Sequence, residues 1–271
     1  MPVLKTRSIA DFPVGNIPLR DHHAAMDKKW TIHPEAWISP ADLELLEASE
    51  AATLVDEHGN HLAWLGLTPN IEVLTPARES FLIRHSWDLI RANELFVGSL
   101  LPQADLPADA VVHPLAVIEG VVRIGRGTRI LPGVYIEGNA VIGANCKIGP
   151  NCYIRGNTSI GDHCHIGNAV EIKNSILLAG TNVGHLSYVG DSILGEKVNF
   201  GAGTVTSNLR HDGRNHRTLV DGTLIDTGRR KFGTIVGDGV HTGINTSIYP
   251  GRKLGPGSST LPGQVVQSDI S

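Results

Sequence analysis

From Val112 to Leu178 an aliphatic residue recurs at every sixth position, through Ile118, Ile124, Ile130, Ile136, Ile142, Ile148, Ile154, Ile160, Ile166 and Ile172. A six-residue period does not match the 3.6-residue turn of an α-helix. It does not match a long flat strand either, because Gly follows the aliphatic residue at Gly125, Gly143, Gly149, Gly161 and Gly167 and would interrupt every strand. The chain must turn a corner about every six residues, so that three segments close a triangular coil of about eighteen residues. Coils stacked at the inter-strand spacing of about 4.8 Å make a parallel β-helix. The residue four positions after each aliphatic one is small or β-branched, from Ala116, Val122, Thr128, Val134 and Ala140 through Cys146, Cys152, Thr158 and Cys164 to Val170 and Ile176. Two inward columns at fixed phase predict a mainly β, hexapeptide-repeat solenoid.

After Leu178 the period slips to five at some steps, with Val183, Val189, Leu194, Phe200 and Val205 as the inward residues. A protruding loop over 206–233 then interrupts the repeat, which resumes as Val236, Thr242, Ile248, Leu254, Thr260 and Val266. The total is about seven coils, roughly 34 Å of solenoid. The loop carries Arg210, Arg214, Arg217, Arg229, Arg230 and Lys231 against Asp212, Asp221 and Asp226. A long basic insertion in an economical repeat points to function.

The first hundred residues follow other patterns. All four tryptophans (Trp30, Trp37, Trp64, Trp87) lie there, which marks a domain boundary. Ser39, Pro40 and Asp42 read as a helix start before Leu43, Leu45 and Leu46. Thr53 to Leu67 reads as a hairpin turning at His58-Gly59-Asn60, and Ala77 to Leu100 as a helix with Leu82, Leu89 and Phe96 on one face. The expected organisation is a small α+β domain over 1–101, a connector from Pro102 to Pro107, and the β-helix over 108–271.

With 271 residues, 41% hydrophobic and 18% charged, the chain is long enough for two folding units. A formal net charge of −4 supplies no basic field for nucleic acid. No apolar run approaches the length of a membrane span, and the opening MPVLKTRSIADFPVG lacks a signal peptide's apolar centre, so a cytoplasmic protein is expected. The three cysteines all fall in the small inward column; Cys146 and Cys164 are eighteen apart and stacked within disulfide reach, but buried free thiols are the expectation for a cytosolic chain.

Candidate chemistry begins where the residue after the aliphatic position is a cation, at Arg155 and Lys173, eighteen apart. Two like charges stacked about 4.8 Å apart repel unless they share an anion, which suggests a phosphate site. Pairing with Glu137 and Glu171 is the alternative. Downstream, Gly184-His185-Leu186-Ser187-Tyr188-Val189-Gly190-Asp191 lies where the register slips, close to the two cations and to the basic loop. Histidine at such a place is a candidate general base.

The run containing VEIKNSIL and GHLSYVGDSILGEKVNFGAGTVTSN resembles the acetyltransferase domain of bifunctional N-acetylglucosamine-1-phosphate uridyltransferase/glucosamine-1-phosphate acetyltransferase. The stretch NLRHDGRNHRTLVDGTLIDTGRRKFGTIVGDGVHTGINTSIYPGRKLG is closer still to archaeal-type sugar-phosphate nucleotidyltransferase/acetyltransferases. The resemblance covers about residues 77–266, and its HLSYVGD and GAGTVTSN motifs are more specific than the repeat.

The resemblance implies the left-handed form of the β-helix, a homotrimer with sites between subunits, and acetyl transfer from acetyl-CoA to an amino-sugar 1-phosphate with no metal. His185 matches the catalytic base. Arg155 and Lys173 match the phosphate pair, Tyr188 and Asn199 match sugar contacts, and Asn208 matches a residue that positions the base. Ala202, in the Gly201-Ala202-Gly203 turn, matches the backbone N–H that stabilises the thioester oxyanion, so Ala202 and Gly203 are the expected coenzyme contacts. Leu209 stands where the bacterial family has a tyrosine. Arg214, His216 and Arg217 stand near the place of its loop lysine. The bacterial C-terminal arm and the Gly-rich motif of the uridyltransferase half are not found in the sequence, so uridyl transfer is not expected. The alternative is a non-catalytic scaffold whose N-terminal unit docks a partner nucleotidyltransferase.

Overall fold

The computed structural model of the protein describes residues 7–48, 53–102 and 106–271. Residues 103–105 of the expected connector, and the first six residues of the chain, lie outside these. The chain divides into two compact units with the boundary between Phe96 and Val97.

The larger unit is the β-solenoid. Three parallel sheets of eight, seven and six strands form its faces, with at most one short strand per face in each coil. The first face includes Lys147–Ile148, His165–Asn168, Asn182–His185 and Asn199–Phe200. The second includes Tyr153–Arg155, Glu171–Lys173, Tyr188–Gly190 and Val205–Thr206, and the third Thr158–Ile160, Ile176–Leu177, Ile193–Leu194 and Ile235–Val236. Same-phase aliphatic residues pair across coils, as in Ile136↔Ile154↔Ile172↔Val189, and fill a single core. This three-faced parallel coil matches the expected left-handed β-helix. Cys146, Cys152 and Cys164 are buried free thiols inside it, and burial pushes the Cys152 thiol up to about 12.

The register slips one step earlier than the sequence suggests. Leu177, not Leu178, stacks on Ile160, and Ser175 rather than Ile176 takes the place of Thr158. The cause is a corner one residue shorter in two successive coils, turned by Asn174 (φ 47) and Asp191 (φ 51) in the left-handed region. Further on, Thr206 is fully buried and Val205 is exposed, which reverses the sequence assignment. Between Thr206 and Ile235 the chain leaves the solenoid and forms an antiparallel hairpin of Arg217–Val220 with Thr223–Asp226. The hairpin is pinned to a coil edge by Thr218 Oγ1 donating to Gly251 O at 3.2 Å, and by Lys253 Nζ donating to Leu219 O.

The smaller unit, Arg7–Phe96, contains a four-stranded sheet in the order Trp30–Ile32, His61–Leu65, Thr53–Val55, Leu74–Pro76. The hairpin expected from Thr53 is present; the Asp56 carboxylate accepts from the backbone N–H groups of His58 and Asn60 and closes its turn. Ser39 caps the helix Pro40–Glu47, accepting from Asp42 N at 3.2 Å. The helix expected from Ala77 begins only at Ser86. Leu82 is instead in a strand paired with Ala36, and the Asp88 carboxylate accepts from the N–H groups of Arg84 and His85 at the helix start.

Candidate functional site

His185 ends a first-face strand at the corner leading to the second face, with Leu186 making the turn at φ 52. It pairs with Asn168 of the preceding coil. The next coil continues the column: Gly203 N donates to His185 O at 3.1 Å as Leu186 N donates to Asn168 O at 3.0 Å, so Ala202 stands one coil beyond His185. Gly167 makes this column possible, because a Cβ there would lie 1.8 Å from Gly184 O. The His185 side chain is exposed, and among the described residues its ring makes no hydrogen bond. The Ala202 N–H likewise donates to no protein acceptor among them. A free imidazole and a free backbone donor, about one strand spacing apart along the corner, are what proton abstraction beside a developing oxyanion requires.

Arg155 and Lys173 are direct register partners on the second face. The shared anion inferred from their stacking is not needed to hold them. Arg155 Nε lies 2.7 Å from Glu171 Oε1, and this bond raises the guanidinium's pKa further. Lys173 Nζ lies 2.7 and 2.9 Å from the two Asp191 oxygens. Glu171, not Glu137, is the partner of Arg155, and Glu137 bonds Tyr153 Oη instead.

Tyr188 lies in the outward column beside these cations, after Tyr153 and Glu171. Burial, and next the Asp191 charge, push its phenol above the ordinary value, so it stays protonated near neutral pH. Its oxygen accepts from Asn208 Nδ2 at 2.9 Å, and the same nitrogen donates to Asp191 Oδ2 at 2.5 Å. Tyr188, Lys173, Asn208 and Asp191 are therefore one hydrogen-bonded group at the far end of the second face.

Asn199 is elsewhere. It begins a first-face strand, pairs with Asn182 and accepts from Asn182 Nδ2 at 3.1 Å. The whole first face and the His185 corner separate it from the Tyr188 group.

Sequence reasoning did not assign Asp191, although it lies eighteen residues after Lys173, the spacing that drew attention to Lys173 itself. His216, one of the three residues near the place of the family's loop lysine, is turned inward. It is 2% exposed, and its Nε2 donates to Asn208 O at 3.0 Å. Burial lowers its pKa and keeps the ring neutral at neutral pH. It braces Asn208 and is not a loop cation. Arg210 is paired with Asp212, whereas the Arg214 and Arg217 side chains are exposed and have no ion-pair partner among the described residues.

Residues 136–255 match the family model described as the GMPPB C-terminal domain. The chain is 48% identical over 102 residues to a bifunctional sugar-1-phosphate nucleotidylyltransferase/acetyltransferase of Sulfurisphaera tokodaii, which covers 38% of this chain and 25% of that protein. It is 48% identical over 188 residues to the bifunctional protein GlmU of Methanococcus maripaludis, 69% of this chain and 44% of that one. The chain thus spans less than half the length of these curated relatives. Among solved structures, LpxA from Acinetobacter baumannii aligns over 60% of this chain and 68% of that chain, at 18% identity and a TM-score of 0.33. The similarity to sugar-phosphate nucleotidyltransferase/acetyltransferases, archaeal ones included, is therefore present as the motifs suggested.

Proposed function

We propose that this protein is an acetyl-CoA-dependent N-acetyltransferase acting on an amino-sugar 1-phosphate, glucosamine-1-phosphate or galactosamine-1-phosphate. The observation that carries the reading is the corner where a His185 imidazole precedes the Ala202 N–H by one coil, neither having a hydrogen-bond partner among the described residues. An amine is a nucleophile only when its lone pair is free. His185 takes the proton as the sugar nitrogen attacks the thioester carbonyl, the Ala202 N–H supports the oxyanion, and collapse breaks the C–S bond, the leaving thiolate taking the proton back from His185 to depart as the coenzyme thiol.

Arg155 and Lys173 supply the phosphate end. Arg155 has N–H groups beyond the one Glu171 uses, and Lys173 has one Nζ proton beyond the two directed at Asp191, so an anion can be added without breaking either ion pair. Tyr188 and Asn208 flank the sugar. Asn199 begins a first-face strand, whereas Tyr188 begins a second-face one, one face and a corner further along the coil. That separation supports a reading in which a neighbouring copy brings Asn199 to the ligand, as in a homotrimer with sites between subunits.

The test is thiol release from acetyl-CoA with the two amino-sugar phosphates side by side and His185→Ala as control. Sugar-dependent release that disappears in the variant supports the reading. Release that persists within a few-fold removes His185 as the base, and no release with either sugar favours a sugar-phosphate-binding scaffold that serves a separate nucleotidyltransferase.

A further inference from the structure

The Asp191 carboxylate receives four hydrogen bonds: two from Lys173 Nζ at 2.9 and 2.7 Å, one from Asn174 Nδ2 at 3.0 Å and one from Asn208 Nδ2 at 2.5 Å. An ionised carboxylate only accepts, at about four lone-pair sites, so this group is saturated by protein donors. It is also inaccessible: Asp191 is 2% exposed and the Lys173 side chain 14%. The Arg155–Glu171 pair, by contrast, is 35% and 31% exposed. One cation of the stacked pair is therefore fixed in the fold and the other is held at the surface.

The geometry also fixes the Asn208 amide. Both protons on Nδ2 are engaged, one by Asp191 and one by Tyr188 Oη, which leaves Oδ1 as the group Asn208 can offer a ligand. We infer that Asp191 is a positioning residue for the acceptor site: one buried carboxylate sets Lys173 and Asn208 so that a remaining Nζ proton and the Asn208 Oδ1 are presented together. The inference rests on the amino-sugar phosphate reading above. Asp191 reaches Lys173 from a corner at φ 51, whereas the corners of two earlier coils have Gly138 and Gly156, which carry no side chain.

Asp191→Asn is a clean probe, because asparagine tolerates the left-handed backbone. Its amide would, however, set N–H against the N–H donors of Lys173 or Asn208. In the full chain, kcat/KM is measured for the amino-sugar 1-phosphate and for the same sugar without phosphate. The expected result is a fall of about tenfold or more for the phosphorylated sugar, through KM, and a clearly smaller fall for the unphosphorylated sugar, which loses only the Asn208 Oδ1 contact, with the acetyl-CoA KM within about twofold. An equal fall for both sugars means a general structural defect and overturns the inference, as does no change. If Asp191→Asn does not fold, Asn174→Gly loosens the same carboxylate without removing its charge, and its expected fall of about threefold is again larger for the phosphorylated sugar than for the unphosphorylated one. Wild-type protein inactive on every amino sugar defeats the enzymatic reading alone. Calorimetric binding of glucosamine-1-phosphate then decides the matter: binding lost in Asp191→Asn supports the positioning role, and binding unchanged in the variant, or absent from wild type, overturns it.

Discussion

Arg155 and Lys173 are paired across adjacent coils, yet each is turned to its own carboxylate, Glu171 at 2.7 Å and Asp191 at 2.7 Å. The repulsion expected of stacked cations is thereby cancelled inside the protein. The two pairs differ in burial, so their loss has different consequences. Arg155→Ala is expected to weaken sugar-phosphate binding with little effect on stability, since exposed pairs contribute about 0–1 kcal/mol. Lys173→Ala leaves Asp191 buried without a counter-ion and is expected to cost about 3 kcal/mol as well. Urea denaturation of both variants checks this; equal stability would show that Asp191 does not depend on Lys173.

A site completed by a neighbouring copy makes a prediction about mixtures. His185→Ala and Asn199→Ala are each expected to be severely impaired. Mixed in equal amounts and allowed to exchange subunits, they should recover about a quarter of wild-type sites, since that fraction of interfaces joins an intact His185 to an intact Asn199. Activity no greater than the sum of the separate variants would place both residues in the site from a single chain.

The brace between the insertion and the solenoid is predicted to be pH-sensitive. Burial holds the His216 pKa below its unfolded value of about 6.5. The stability it contributes is fully present above that value and is lost as pH falls toward the lower folded pKa, where the unfolded ring binds a proton that the folded ring resists. His22, His23 and His165 are shifted in the same direction, so a global melt would pool them. Amide exchange at His216 and Thr227, whose N–H groups donate to Arg229 O and His216 O, reads the brace alone. Faster exchange at pH 5.5 than at pH 7.5, after correction for intrinsic rates, is the expected outcome.

Gly167→Ala is expected to be among the most destabilising single-methyl additions, at about 2 kcal/mol or more, because the new carbon would overlap Gly184 O, 1.8 Å away. Gly59→Ala is the control; a Cβ there meets nothing within 4 Å, and only its φ of 78 adds strain. Comparing thermal midpoints separates backbone overlap from conformational strain. A smaller loss at Gly167 than at Gly59 would mean that the coils can spread.

Much of the site could be read from the sequence because the repeat converts sequence spacing into spatial adjacency. Arg155 and Lys173 are stacked as their separation of eighteen implies. The capped helix at Ser39 and the turn at Gly59 were legible for local reasons: both are made by side chains within four residues of the backbone they bond. The helix expected from Ala77 failed because Leu82 has a non-local partner, Ala36. The burial of His216 was not legible for the same reason, since nothing in the loop's charge pattern shows that one of its residues is buried against Asn208.

The sequence by itself determined the solenoid, its two inward columns and the corner that carries His185, because a fixed period on a stacked coil is a local rule repeated. Tertiary structure alone decided which carboxylate neutralises which cation, that Asp191 joins Lys173 to Asn208, and that Asn199 lies a face away from Tyr188. Two corners shortened by one residue shift the register, so that Leu177 and not Leu178 stacks on Ile160. Periodicity sets which column a residue occupies, but contacts within 3 Å depend on where each corner folds.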